Sequence, residues 1–205
     1  MTGLPGISGK FGCICADPPW SYVTYSDKGK DRSAEAHYQC MTLDDIAAMP
    51  VAEHTDRDCH LFMWITGPCL VQGDHLQIIK SWGFRPSSMG FVWLKPKKAA
   101  FVQGRFFDPV DASDFVKGMG HTTRQNAEFV VLGRKGSPKR LTKSMHQLIV
   151  DPRREHSRKP EIFRDRVREY VGPDVDVLEL FARSKPDDPR WTVFGNETSK
   201  FEAVA

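Results

Sequence analysis

At 205 residues and 40% hydrophobic, the chain is long enough for one well-buried domain and too short for two full ones, so a single domain over residues 1–205 is expected. It contains no run of about 18 apolar residues, and Met1-Thr2-Gly3-Leu4-Pro5-Gly6 lacks the basic-then-apolar profile of a secretion signal; an intracellular, cytoplasmic protein without a membrane partner is the expectation. The net charge of +3 conceals an asymmetry: between Arg134 and Arg168 twelve Lys/Arg stand against four Asp/Glu, a local +8 on an otherwise acidic chain. Such a stretch predicts a polyanion partner, with a solvated face as the plain alternative. Five cysteines at 13, 15, 40, 59 and 69 include no C-x-x-C pair, which favours buried free thiols over disulfides or a zinc site.

In chain order, the first element is Cys13-Ile14-Cys15-Ala16, an apolar run that ends in Asp17-Pro18-Pro19-Trp20. It reads as a buried strand delivering a rigid polar turn, because each proline fixes its own φ and restricts the residue before it. Outward, unpaired oxygens beside an indole face would suit an exocyclic amine on a planar ring, with Trp20 as the stacking surface. Ser21 to His37 follows as a long polar loop, with Tyr22, Tyr25 and Tyr38 as candidates to stack on a base. Thr42-Leu43-Asp44-Asp45 opens a short capped helix that closes before Pro50.

His60 to Thr66 is a continuous apolar run and predicts a buried strand. Leu70 to Trp82 predicts one crossover helix with Leu76, Ile79 and Trp82 inward and Gly83 as its stop, and Phe91 to Lys95 predicts a third strand. Strand, helix, strand with tight connections predicts parallel pairing of the second and third strands. Lys97 to Gly120 is a second irregular segment, expected to be a mobile insertion with a hinge at Gly118-Met119-Gly120. Further strands are expected at Ala127 to Leu132, Gln147 to Val150, Val175 to Phe181 and Trp191 to Gly195. Pro160 should open a helix with Phe163, Val167, Tyr170 and Val171 inward and Arg164, Arg166 and Arg168 on its outer side.

Small ligands of open α/β sheets sit beyond the carboxyl ends of the strands. Two such ends carry matching polar groups: Glu179 with Arg183, and Gly195-Asn196-Glu197. A carboxylate can hold both hydroxyls of a ribose and an amide can pair with an adenine edge, so the pair suggests an adenosine-containing cofactor, with ordinary loop capping as the alternative. No G-x-G-x-x-G or G-x-x-x-x-G-K-[ST] occurs, which argues against dinucleotide and nucleoside-triphosphate sites.

Asp17-Pro18-Pro19-Trp20 resembles the catalytic motif of the adenine-N6 methyltransferases related to the catalytic subunit of the eukaryotic mRNA adenine methyltransferase. His37-Tyr38-x-x-Met41-Thr42, Leu61 to Gly67, Trp82-Gly83-Phe84, Trp93-x-Lys95, Gly120-His121, Glu128, Lys159-Pro160, Glu179 to Arg183 and Trp191-x-x-x-Gly195-Asn196 resemble further blocks of that family, in family order, over residues 11 to 198. The resemblance implies one Rossmann-like methyltransferase domain, a mostly parallel sheet with helices on both faces, with the catalytic block ahead of the cofactor block. S-adenosylmethionine is the implied donor. Asp17, Pro18, Pro19 and Trp20 would be catalytic; Asp17, Lys159, Glu179, Arg183, Asn196 and Glu197 would hold the cofactor. Tyr25, Tyr38, Lys95, His121, Glu128, Arg153, Arg154 and Arg158 would meet the substrate. Glu197 stands where the RNA enzyme carries an amide, and Pro186 where it carries a polar contact.

An adenine amine is a poor nucleophile, its lone pair being delocalised into the ring. Acceptors at Asp17 and the Pro18 carbonyl would draw both N–H bonds and free that pair, so positioning does the work and no metal is called for. The expected partner is nucleic acid, DNA ahead of RNA because no RNA-binding module is recognisable, with self-association as a further possibility. The competing readings are an RNA adenine-N6 methyltransferase, a non-catalytic nucleic-acid-binding subunit, and methylation of a cytosine amine or a small molecule.

Overall fold

A computed structural model describes residues 3–20, 40–99, 111–118, 122–155 and 158–201. The first strand, β1 (Phe11–Ala16), shows how the sheet is buried. Its side chains alternate between faces: Ile14 and Ala16 join Leu61, Met63, Leu178 and Leu180, while Cys13 and Cys15 join Phe62, Trp64, Phe91, Trp93, Val130 and Val177. Both sets are apolar, so both faces need a cover. The first face is covered by α1 (Leu43–Ala47), α2 (Gly67–Gln72) and α3 (Asp74–Ser81), through Ile46, Cys69, Ile78 and Ile79, with Trp82 packed in just beyond α3. The second is covered by α4 (Ile162–Val171), whose Phe163, Val167 and Val171 recur every four residues.

The remaining strands are β2 (Thr55–Ile65), β3 (Arg85–Leu94), β4 (Ala127–Lys135), β5 (Leu148–Val150), β6 (Val177–Leu180) and β7 (Trp191–Phe194). They form one sheet in the order β5-β3-β4-β2-β1-β6-β7, parallel throughout except for β4. This is the mostly parallel α/β architecture with helices on both faces that the sequence predicts. The pairing of β2 with β3 is not. They run in the same direction, but β4 lies between them, antiparallel to both, from Cys59↔Lys135 to Ile65↔Phe129 on one side and from Arg85↔Arg134 to Leu94↔Ala127 on the other. Period and length predict each strand; neither contains information about which neighbour fills the intervening slot.

The expected single helix over Leu70 to Trp82 is two. Gly73 sits at φ +82°, a left-handed geometry that ends α2 and restarts the chain as α3. That shift in helical phase turns Leu76 outward, 39% exposed, and brings Ile78 inward. Of the second irregular segment, residues 111–118 fold back on β3: Val116 N–H donates to the Lys95 carbonyl at 2.8 Å, and Pro96 bridges to Phe115. Met119 and Gly120 of the expected hinge lie outside the described residues. Among those residues, no helix is long and apolar enough to cross a membrane, and no group of three His, Cys, Asp or Glu could hold a metal ion. The cysteines are thiols rather than disulfides, and Cys13, Cys15, Cys59 and Cys69 are buried.

Candidate active site

Register and pleat assemble the site. Cys15 lies opposite Glu179, Ala16 opposite Leu180, Trp64 opposite Val130 and Trp93 opposite Glu128. Side chains two residues apart on a strand share a face, so Asp17, Glu179, Trp64, Trp93, Lys95 and Glu128 all fall on the α4 face. Because β4 is antiparallel, Glu128 near its start stands level with the carboxyl ends of β1, β2, β3 and β6. The chain leaves β1 toward β2 on one side, whereas β6 pairs with β1 on the other, and this divergence opens the crevice where α/β sheets take their ligands.

A pocket with about 560 Å³ of space open to solvent occupies that position. Cys15, Ala16 and Asp17 of β1's end line it, with Glu179, Phe181, Ala182 and Arg183 of β6's end, Lys159 ahead of α4, and Phe201. Phe181 adopts φ +60°, a strained conformation for a side chain this bulky. Beside it, a Cβ on Gly195 would stand 2.8 Å from the Ala182 carbonyl oxygen, so the backbone after β6 and the backbone after β7 touch without room for a side chain.

Four charges of alternating sign run along the carboxyl edge. Lys159 Nζ lies 2.7 Å from Asp17 Oδ2 and 3.4 Å from Glu128 Oε2; Lys95 pairs with the other oxygen of Glu128. Both ammonium groups rest on indoles, Lys159 5.4 Å from the Trp64 ring centre and Lys95 4.7 Å from that of Trp93. Burial works to raise the pKa of Glu128, but Lys159 and Lys95 outweigh it and hold it down at about 2. For Asp17 the balance is reversed: burial raises its pKa above the ordinary 3.8, with Lys159 opposing and Glu128 adding to the rise. Asp17 is therefore a stronger proton acceptor than a solvated carboxylate. Cys15 lines the same pocket, yet burial and the neighbouring Cys13 push its thiol well up, so it stays a neutral thiol.

Several expectations change. Trp20 is buried, its Nε1 donating to the Trp64 carbonyl at 3.0 Å, so it is a strut beneath the turn rather than a stacking surface. The carbonyls of the turn are not unpaired: Trp20 N–H donates to Pro18 O at 2.8 Å and Met41 N–H to Pro19 O at 3.2 Å. The reason is the tight turn at Pro19, which brings Trp20 N–H onto the Pro18 carbonyl and sets Trp20 beside Met41. Glu179 is at the pocket, but Arg164 grips it with two bonds of 2.9 and 3.0 Å, and Trp191 Nε1 donates to it at 2.7 Å. Arg164 and Arg168 flank the inward stripe of α4 instead of facing out; Arg168 pairs with Asp188. The signal is present in the spacing, since Arg164 and Arg168 each follow an inward residue by one position; Arg166 precedes one and donates to the His146 carbonyl at 3.0 Å, and the exposed far side carries Asp165 and Glu169.

Arg183 lines the pocket and reaches Glu197 at 3.6 Å, whereas Asn196 is exposed and not part of the lining. Arg154 and Arg158 both pair with Glu161, and Arg158 also lies over the Phe201 ring at 5.3 Å; Arg153 is exposed. The basic stretch is not one surface. Arg134 and Lys135 end an antiparallel strand and fall at the opposite edge of the sheet from Arg153, Arg154 and Arg158. Tyr22, Tyr25, Tyr38 and His121 lie outside the described residues.

A family model described as MT-A70 matches residues 11–197. The chain is 30% identical to the Type II methyltransferase M.MunI of a Mycoplasma species over 192 residues, covering 85% of this chain and 73% of that protein. It is 26% identical to the human N(6)-adenosine-methyltransferase catalytic subunit METTL3 over 194 residues, 93% of this chain and 29% of the relative. It is 29% identical to human N(6)-adenine-specific methyltransferase METTL4 over 210 residues, 41% of that protein. The chain thus spans most of the Mycoplasma protein and less than half of the two human ones.

Proposed function

The chain belongs to the MT-A70 family, and from that premise we propose that it transfers a methyl group from S-adenosylmethionine to the N6 amine of adenine in nucleic acid, DNA ahead of RNA. The observation that supports this most is Asp17, a carboxylate of raised pKa that lines the pocket at the carboxyl ends of the paired strands β1 and β6 and is held there by Lys159. The lining suits the donor chemically: Lys159 and Arg183 offer cations to its carboxylate, Glu179 offers oxygens to hydroxyls, and Phe181 and Ala182 offer apolar surface. When bound, S-adenosylmethionine supplies an electrophilic methyl on a sulfonium centre.

The residues then have three tasks. Asp17 accepts a hydrogen bond from the target amine, and the Pro18 carbonyl, with one of its two lone pairs given to Trp20, keeps the other for the second N–H. As the nitrogen gains the methyl, it must shed one proton, and the raised pKa of Asp17 suits it to take that proton before passing it to water. Lys159 stands between Asp17 and Glu128, so it can lean toward Glu128 while Asp17 carries the proton and return when Asp17 is ionised. Lys95, fixed on Trp93, holds Glu128 in place throughout.

An RNA substrate is the second reading, favoured by the name of the METTL3 relative, an adenosine methyltransferase. The test is to incubate the protein with S-adenosylmethionine and adenine-bearing DNA or RNA, digest each to nucleosides, and weigh them. N6-methyldeoxyadenosine in excess over its ribose counterpart is the expected result. Cofactor binding without a methylated adenine in either polymer would instead indicate a binding subunit.

A further inference from the structure

Around the pocket, arginines stand next to acids. Arg154, Arg158, Arg164 and Arg183 each face a carboxylate. At the opposite, amino edge of the sheet Arg168 and Arg190 are paired as well, with Asp188 and Asp176, but at the corner of β3 and β4 the pattern breaks. Arg85 on β3 and Arg134 on β4 are directly opposed across the two strands, a like-charge pair on one face, which is an unfavourable arrangement for an isolated sheet. Arg134 in turn is opposite His60 on β2, and the loop after β4 closes over this corner: Lys139 carbonyl meets His60 Nε2 at 3.1 Å, and Arg85 Nη2 donates to the Gly136 carbonyl at 3.3 Å.

The corner is crowded with cations. Arg85, Arg134, Lys139 and Arg140 are all exposed, and none has a salt-bridge partner among the described residues. On the adjoining strand β2, Asp58 is used by the loop backbone, accepting from Ser137 N–H at 2.6 Å. The field is felt locally: burial first, and then Arg134 and Arg140, lower the pKa of His60. Opposed, unpaired cations held in a rigid frame of strand and closed loop are what a bound row of phosphates would relieve.

We propose that Arg85, Arg134, Lys139 and Arg140 form a second binding surface for the nucleic-acid backbone, at the far edge of the sheet from the reacting base. This rests on the reading of nucleic acid as substrate. Glu128 and Arg134 are six residues apart on one strand, so the surface lies roughly 20 Å from the pocket edge at about 3.3 Å per residue. A stacked strand of about six nucleotides reaches from one to the other, at about 3.4 Å per nucleotide. Short oligonucleotides meet only the pocket, and long ones meet both.

The experiment compares wild type with R85Q/R134Q/R140Q, using a labelled 4-nucleotide and a labelled 20-nucleotide DNA, each with one adenine. Anisotropy gives affinity across a salt series, and nucleoside mass spectrometry gives turnover. Each phosphate that no longer meets a cation lowers the slope of log affinity against log salt by about 0.7 for a single strand, so the triple variant should give up about 2 from its slope on the 20-mer and nothing on the 4-mer. Turnover of the 4-mer should be unchanged. Thermal melting should show the variant at least as stable as wild type, because a repulsive pair has been removed; the loop pair K139Q/R140Q, which leaves the strands untouched, should show the same flattening of the slope at smaller size. An unchanged slope on the 20-mer in both variants overturns the surface. A flattened slope in a protein that methylates no adenine keeps the surface and refutes the activity, and salt-independent binding by wild type refutes both.

Discussion

Replacing Glu128 by Gln tests the charge array that positions Lys159. The carboxylate is only 27% exposed and lies between two ammonium groups, and its pKa is held at about 2 against an ordinary 4.5. At about 1.4 kcal/mol per pH unit, that difference corresponds to about 3 kcal/mol of folding stability. A depressed carboxylate pKa contributes stability that is complete above the unfolded value near 4.5 and disappears as pH falls through the folded value. Wild type should therefore exceed E128Q by about 3 kcal/mol at pH 7, by nearly as much at pH 5, and by less than half as much at pH 3. Urea unfolding of both proteins at these three pH values follows that contribution together with the change the substitution causes at Asp17. The same substitution removes a charge that helps to raise the pKa of Asp17, so the rising, acidic limb of the pH–rate profile should move to lower pH. A stability gap that stays constant from pH 7 to pH 3 would refute the reasoning.

Asp17→Asn should cost at least about a hundredfold in methyl transfer, the scale of removing one preorganised hydrogen bond to a transition state. It should not lower the melting temperature at pH 7: a carboxyl whose folded pKa is raised costs stability once ionised, and Asn removes that cost, an advantage that should vanish below pH 3.8. Near-normal turnover, or a marked loss of stability, would contradict this account. Glu179→Ala strands the guanidinium of Arg164 and the Trp191 N–H and should lose about 2–3 kcal/mol in denaturant unfolding. Adding Arg164→Met should restore much of that stability while S-adenosylmethionine affinity, read by calorimetry, stays weak; recovery of affinity along with stability would show that Glu179 serves only to hold Arg164.

How much of this is legible in advance differs from residue to residue. The apolar runs at 13–16, 60–66 and 127–132 announce buried strands because a strand covered on both faces can tolerate no polar alternation, a local property of composition. Asp17 after a buried strand, with two prolines behind it, likewise identifies a rigid polar turn without any knowledge of the rest of the fold. The family blocks, in order along residues 11–198, carry the reaction class and, with it, the expectation of the cofactor. What the one-dimensional chain lacks is pairing. Only the sheet shows that β4 enters antiparallel between β2 and β3, and that single reversal brings Glu128 to the pocket edge while it sends Arg134 and Lys135 to the far one, dividing a basic stretch that is continuous along the chain. Only the packing of α4 shows that Arg164 is Glu179's partner, because a position beside the inward stripe of a helix faces whatever strand end lies next to it. Trp20 is the clearest instance: by sequence it is an indole after a turn, and its burial beneath that turn follows from its own hydrogen bond to the distant Trp64 carbonyl and from the bond that Met41 N–H gives to its neighbour Pro19. Strand identity depends on neighbours along the chain, whereas the positions of charge and of aromatic faces depend on neighbours across it.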